Sequence, residues 1–313
     1  MNRRQFQKSN LILGTGLLAG ASLNPFSTTV PESVRKILKT DTHVHLFNLA
    51  ELTYPWLDNL PEIKYPYDIE DFAKAARKAK IGKIMFMESG AHPSQSLQEI
   101  DWVIEQAKLE KRLQGIIARG DLDIEGRLTP NPEQLVASGW VKGIRGRLNS
   151  ELLQSSGFIQ GMKTLAEHKL SFDLLLTPNL FLDAARAINH CPDTVFILDH
   201  LGNPNVKAGD DEVWKMGIRK LAQYPNVNCK ISGAIVKIGK GWTADMLKPY
   251  VYEVIDSFGF DRIVYGSDWP NSLRVSDSYL DWSQVFEQLT TGFSISERNQ
   301  LYHLNADRIY QLT

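Results

Sequence analysis

From residue 40 onward the chain repeats one unit, a short apolar run followed by an amphipathic stretch. The runs are TDTHVHLF (40–47), GKIMFME (82–88), LQGIIARGDL (113–122), VKGIRGRL (141–148), LSFDLLL (170–176), TVFILDHLG (194–202), NVNCKISG (226–233) and RIVYGSDWP (262–270). Between them lies helical spacing. DIEDFAKAARKAK sets Ile69, Phe72, Ala73 and Ala76 on one face, and SLQEIDWVIEQAKLEKR does the same with Leu97, Ile100, Ile104 and Ala107. Strands alternating with helices predict a parallel sheet, because parallel neighbours need a crossover connection. Eight such strands in a chain of 313 residues favour an α/β fold of the closed (β/α)8 TIM-barrel kind over an open sheet. No G-x-G-x-x-G follows the first run, so a dinucleotide-binding sheet has no support. The tail SISERNQLYHLNADRIYQL predicts extra C-terminal helices, with Ser294 or Ser296 as a cap. No Pro-, Gly- or Ser-rich linker divides residues 31–313, which read as one barrel domain.

The first 30 residues stand apart. MNRRQFQKSNLILGTGLLAGAS opens with Arg3, Arg4 and Lys8, turns apolar from Leu11 to Ala21, and ends in the small-x-small pattern Ala19-Gly20-Ala21. That layout is a secretory signal, too short for an ordinary membrane span. Arg3-Arg4-Gln5-Phe6 followed by Lys8 is similar to the twin-arginine export signal. Residues 1–30 are therefore expected to be an export signal and linker, read by the twin-arginine machinery, and the protein periplasmic with no stable membrane anchor. Nothing suggests a nucleic-acid binder, since 35 Lys and Arg face 36 Asp and Glu. Two distant cysteines, Cys191 and Cys229, exclude a disulfide framework and argue against a thiolate zinc site.

Residues 48–68 follow the first strand and carry Tyr54, Trp56, Tyr65 and Tyr67. A loop of that length is either a lid over the barrel mouth or packed outside it. In a (β/α)8 barrel, catalytic groups come from the C-terminal ends of the strands. Polar residues gather there: His43 and His45, Glu88, Arg119 and Asp121, Arg145 and Arg147, Asp199 and His200, Lys230 and Ser232, Ser267 and Asp268, with Asp173 earlier in its strand. Alternation makes His43 and His45 point the same way. Taken singly, each has an ordinary explanation: Glu88 a helix cap, Arg145 an ion pair, Lys230 a snorkelling side chain, Asp268 a turn cap. Burying so many ionisable groups in a core would be costly, so their collection at one end predicts an active site.

In this order THVHL, DHLGNP, CKISG and YGSDWP resemble the amidohydrolase superfamily, and more narrowly its branch of sugar-acid lactonases and 2-pyrone-4,6-dicarboxylate lactonase. TYPWL, KGIRG, FDLLL and NADRIY fit the same branch, so the resemblance covers residues 40–312. It implies a (β/α)8 hydrolase in which His43, His45 and Asp268 hold one divalent metal, zinc by preference, with Glu88 or His200 as a further ligand. A metal-free version is equally part of the branch. Two-metal relatives carry a carboxylated Lys or a Glu at the fourth strand and a His at the fifth. Here Arg145 and Asp173 stand there, which argues against a second ion. The implied reaction is water attack on the cyclic ester of a sugar acid such as an aldonolactone. Asp268 serves as metal ligand or general base, and His200, His43 and His45 polarise the carbonyl. Arg145, Lys230, Glu88, Trp56 and Trp269 are the expected substrate contacts. Two other readings stay open: a metal-dependent decarboxylase of aromatic acids, and a non-catalytic carbohydrate-binding barrel.

Overall fold

The computed structural model describes residues 37–207 and 211–313. The expected export signal, including Arg3 and Arg4, lies outside the described residues. Eight parallel strands run in sequence order around one sheet: β1 (Lys39–Val44), β2 (Ile81–Met87), β3 (Leu113–Arg119), β4 (Val141–Arg145), β5 (Ser171–Leu174), β6 (Phe196–Leu198), β7 (Val227–Ile231) and β8 (Ile263–Tyr265). The seam between β8 and β1 closes just past the end of β8. The amide of Asp268 donates to the His43 carbonyl at 2.9 Å and that of His45 to the Trp269 carbonyl at 2.8 Å. Asp41 reinforces the seam, accepting from the Ser267 amide at 2.9 Å and the Tyr279 hydroxyl at 2.8 Å. The result is a TIM barrel, nearly closed, with helices around it.

Strand alternation sorts the side chains into two layers. Ile84 and Phe86 on β2, Ile116 and Ala118 on β3, Phe196 and Leu198 on β6, and Ile263 and Tyr265 on β8 face outward into the main apolar core beneath the helices. Their neighbours Met85, Met87, Ile117, Ile197 and Val264 face the barrel axis, where they pack on Ala306, Ile309 and Tyr310. The C-terminal segment therefore plugs one end of the barrel. It contains short helices at Ile295–Asn299 and Asn305–Ile309, separated by a wider turn. Ser294, one of the two expected caps, starts it: its hydroxyl accepts from the Glu297 amide, and Glu297 accepts from the Ser294 amide, a reciprocal capping box.

The aromatic segment after β1 builds a small core of its own from Phe47, Leu52, Tyr54, Leu57, Ile63 and Ala91. An antiparallel bridge between Phe47 and Tyr67 folds it back on itself. Trp56 projects from its short helix Pro55–Asn59 and donates to the Ser89 carbonyl at 2.8 Å. The segment thus packs over the mouth of the barrel. No helix among the described residues is long and apolar enough to cross a membrane.

Candidate active site

The inward layer changes character toward the C-terminal ends of the strands. By the same alternation that turns Met87 and Ile117 inward, His43 on β1, His45 just past its end, Arg145 on β4, Asp173 on β5 and Lys230 on β7 face the axis. All of them are buried. Asp268 joins them from the loop after β8, its backbone in the left-handed region at φ 58°.

A cavity of about 250 Å³ opens above this layer, lined by His45, Trp56, Glu88, Arg145, His200 and Asp268, with Arg119, Asp121, Arg147 and Asn271 around its rim. Its size suits one small ring rather than a chain of them. A larger groove of about 1350 Å³ runs along the helix Tyr279–Leu289. It contains none of the strand-end residues.

His45 Nδ1 lies 3.1 Å from the Met87 carbonyl oxygen, which can only accept, so Nδ1 carries the proton. The lone pair on Nε2 then faces Asp268 Oδ1 at 3.3 Å. Two acceptors at that separation call for a cation or a proton between them. His43 Nε2 stands 3.8 Å from the same oxygen. Asn271 donates to the other oxygen of Asp268 at 2.9 Å, which fixes the carboxylate. His43, His45 and Asp268 each offer a ligand atom, all within 4.8 Å of one another. The chemistry of this donor set fits a divalent ion. One feature opposes tight binding: the Arg145 guanidinium lies 3.4 Å from His43 Nε2.

A second grouping, His43, Asp199 and His200, is equally compact. Asp199 is already neutralised there, with Lys230 Nζ at 3.0 Å and Arg145 Nη1 at 3.3 Å, which makes it a poor ligand for another cation.

Burial is the largest influence on the titration of His43, His200 and Asp268. It holds the His43 imidazole well below its ordinary value, and the pull of Asp199 does not overcome it. It lowers His200 too, against the attraction of Asp268 and Asp199. Burial alone would raise Asp268, but the imidazoles of His200, His45 and His43 around it together hold it well below the carboxylate range. The centre therefore presents neutral His43 and His200 beside an ionised Asp268 at neutral pH.

The other expected contacts divide. Glu88 and Arg145 reach the cavity as an ion pair, Nε to Oε1 at 2.8 Å. Trp56 lines the wall. Lys230, expected to hold substrate, lies fully buried below the cavity floor with its ammonium 2.6 Å from Asp173 and 3.0 Å from Asp199. Trp269 also lies outside the lining, buried against Tyr67 and Phe72. The sequence reading passed over Asn271, whose only signal is its position three residues after Asp268. It also passed over Glu99, a buried acid behind Glu88 that accepts from the Ser89 amide at 3.3 Å.

The amidohydrolase family model matches residues 40–312. An uncharacterised protein of Sinorhizobium fredii, y4mH, is 32% identical over 298 residues, covering 87% of this chain and 98% of its own length. The L-fucono-1,5-lactonase of Burkholderia multivorans is 25% identical, over 88% of this chain and 96% of its own. A crystal structure of a Burkholderia multivorans amidohydrolase with bound zinc superposes with a TM-score of 0.74 at 23% identity, covering 88% of this chain and all of that one.

Proposed function

The chain belongs to the amidohydrolase family, and on that premise we propose that it hydrolyses the cyclic ester of a sugar-acid lactone. The observation that carries this reading is the Asp268 carboxyl held at the cavity floor, its Oδ1 facing His45 Nε2 at 3.3 Å. A lactonase among its relatives gives the ester chemistry.

His43, His45 and Asp268 would hold the metal. A bound divalent ion supplies Lewis acidity, which lowers the pKa of water and polarises a carbonyl. The chain's own residues do the rest. Asp268 accepts the proton of the attacking water at Oδ1, since Oδ2 is held by Asn271. His200, neutral and anchored through Nδ1 to the Ser232 hydroxyl at 2.9 Å, directs its other nitrogen at the reacting centre. Arg145, fixed by Glu88 and Asp199, presents positive charge where the ester oxygen becomes negative. Trp56 gives one ring face a wall. The same reading keeps the enzyme in the periplasm, on the strength of Arg3-Arg4 and the apolar run after them.

The test is acid release from a panel of aldonolactones, with zinc supplied and with it chelated. Ring opening without carbon dioxide is expected, and Asp268→Asn should abolish it in a folded protein. Full turnover by that variant, or no opening of any lactone by the wild type, ends the proposal. Carbon dioxide release from an aromatic acid would mark a decarboxylase instead.

A further inference from the structure

The plugged end of the barrel and the catalytic end are joined by an unbroken column of buried polar groups. At its base the Tyr310 hydroxyl donates to Asp173 Oδ1 at 3.3 Å. The Lys230 ammonium bridges that oxygen, at 2.6 Å, to Asp199 Oδ1 at 3.0 Å, and it lies 5.8 Å from the centre of the Tyr310 ring. Asp199 Oδ1 in turn faces His43 Nδ1 at 3.6 Å. Lys230, Asp173, Asp199 and His43 are each 0% exposed and Tyr310 is 1% exposed.

His43 Nδ1 has no hydrogen-bond partner within reach. The carboxylate that faces it is Asp199. A buried imidazole in that position takes the tautomer with its proton on Nδ1, toward the negative charge, which leaves the Nε2 lone pair for the centre. The carboxylate can face His43 only while something holds it there. Arg145 holds Oδ2 at 3.3 Å, and Lys230 holds Oδ1. Lys230 is itself fixed by Asp173, which is fixed by the tyrosine of the last helical segment.

We propose that Asp199 is the positioning residue for His43, and that Lys230, Asp173 and Tyr310 transmit its placement from the C-terminal plug to the catalytic mouth. The inference rests on the reading of His43 as part of the site. It does not rest on the identity of the substrate. The C-terminal plug then does more than fill the barrel: it helps keep the His43 proton on Nδ1, the tautomer that Arg145 Nη1, 3.4 Å from Nε2, also favours.

The experiment uses the full chain with ¹⁵N-labelled histidine. Two quantities are read: the His43 tautomer by NMR, and zinc affinity by competition with a chromophoric chelator. Wild-type protein should show the Nδ1–H tautomer. Asp199→Asn should disturb it and weaken zinc binding by about tenfold to a hundredfold, the range for partners behind a metal ligand. Asp173→Asn and Tyr310→Phe, which keep volume and packing, should move both readouts the same way by smaller steps. A folded Asp199→Asn protein with the wild-type tautomer and zinc affinity within twofold overturns the proposal. If Asp199→Asn fails to fold, Asp173→Asn decides in its place, and no shift there overturns it. Wild-type readouts in both distal variants refute the transmission from Tyr310. Neither readout uses lactone turnover, so a wild-type protein that opens no lactone sinks the proposed activity and leaves this inference to stand or fall by itself.

Discussion

A β-carbon built on Gly233 would stand 2.3 Å from Nδ1 of His200. Gly233 also has φ +60°, a conformation that side chains other than glycine resist. The two constraints point the same way: the backbone approaches so closely because it has no side chain there, and the imidazole rests on it. Gly233→Ala should therefore push His200 off Ser232. Displacements of that kind cost about a hundredfold in rate, here expected in kcat, with a stability loss of about 1–2 kcal/mol for the left-handed backbone. Steady-state kinetics beside a thermal melt reads both, and wild-type kcat in the variant would show that His200 is not positioned by this contact.

Which parts of the site were legible beforehand follows from strand geometry. Alternation alone places His43 beside His45. Applied to every strand it also sends Arg145, Asp173 and Lys230 inward, while Phe86, Phe172 and Leu198 go outward. The same rule sends His200 and Glu88 the wrong way, since Leu198 and Phe86, two residues before each, face the helices. They reach the cavity because the strands stop short. After β6 the backbone turns left-handed at His200, Leu201, Gly202 and Asn203, with φ of 55°, 53°, 71° and 54°. Trp214 pins this turn at the Leu201 carbonyl, and Asn203 pins it to Leu176. Glycine and asparagine announce a turn in the sequence; a histidine and a leucine in that conformation do not. Lys230 was placed at the right strand end but given the wrong surroundings. Its partners Asp173 and Asp199 come from β5 and from the turn after β6, and the strand order and register of the sheet bring them within 3.0 Å.

Metal should stabilise the fold through the mouth. Zinc added to chelated protein at about 100 times its dissociation constant contributes about 2.7 kcal/mol by linkage, read as a rise in melting temperature. In Asp268→Ala the rise should disappear, because the one carboxylate of the donor set is gone. An equal rise in that variant would place the ion elsewhere.

Arg145 carries the heaviest electrostatic role in the cavity wall, paired with Glu88 at 2.8 Å and Asp199 at 3.3 Å while only 8% exposed. Removing one partner of a buried pair strands the other charges. Arg145→Met should cost about 3–5 kcal/mol, measured as a shift of the denaturant midpoint at constant slope. Arg145→Lys should recover only part of it, since an ammonium cannot hold Glu88 and Asp199 with the same planar fork. A loss below about 1 kcal/mol in the methionine variant contradicts the assignment, because that is what an exposed pair would give.

Glu99 makes stability depend on pH. Burial, with Glu88 nearby, raises its carboxyl well above the ordinary value of 4.5. A raised acid contributes stability that is fully present below the unfolded value and is lost as pH climbs through the folded one. Glu99→Gln has no proton to lose. Its melting temperature relative to wild type should therefore be higher at pH 8 than at pH 4.5. Thermal melts of both proteins at the two values check the sign, and a difference that is flat or falls with pH refutes the assignment.

Arg147 decides how the mouth reads charge. Glu88 is paired with Arg145, and Asp121 with Arg119 at 2.9 Å, so the formal charges around the cavity cancel in pairs, except for Asp268 at the floor and Arg147 at the rim. Arg147 is exposed and has no hydrogen-bond or ion-pair partner among the described residues. A guanidinium left free beside a polar pocket suits a carboxylate away from the reacting ester. Arg147→Ala should raise KM about tenfold for lactones that carry a free carboxylate, with kcat unchanged, the signature of uniform binding lost. Neutral lactones should be indifferent to the change, and so should stability, to within about 0.5 kcal/mol for an unpaired surface residue. Equal KM effects on charged and neutral lactones would mean that Arg147 shapes the rim without reading charge.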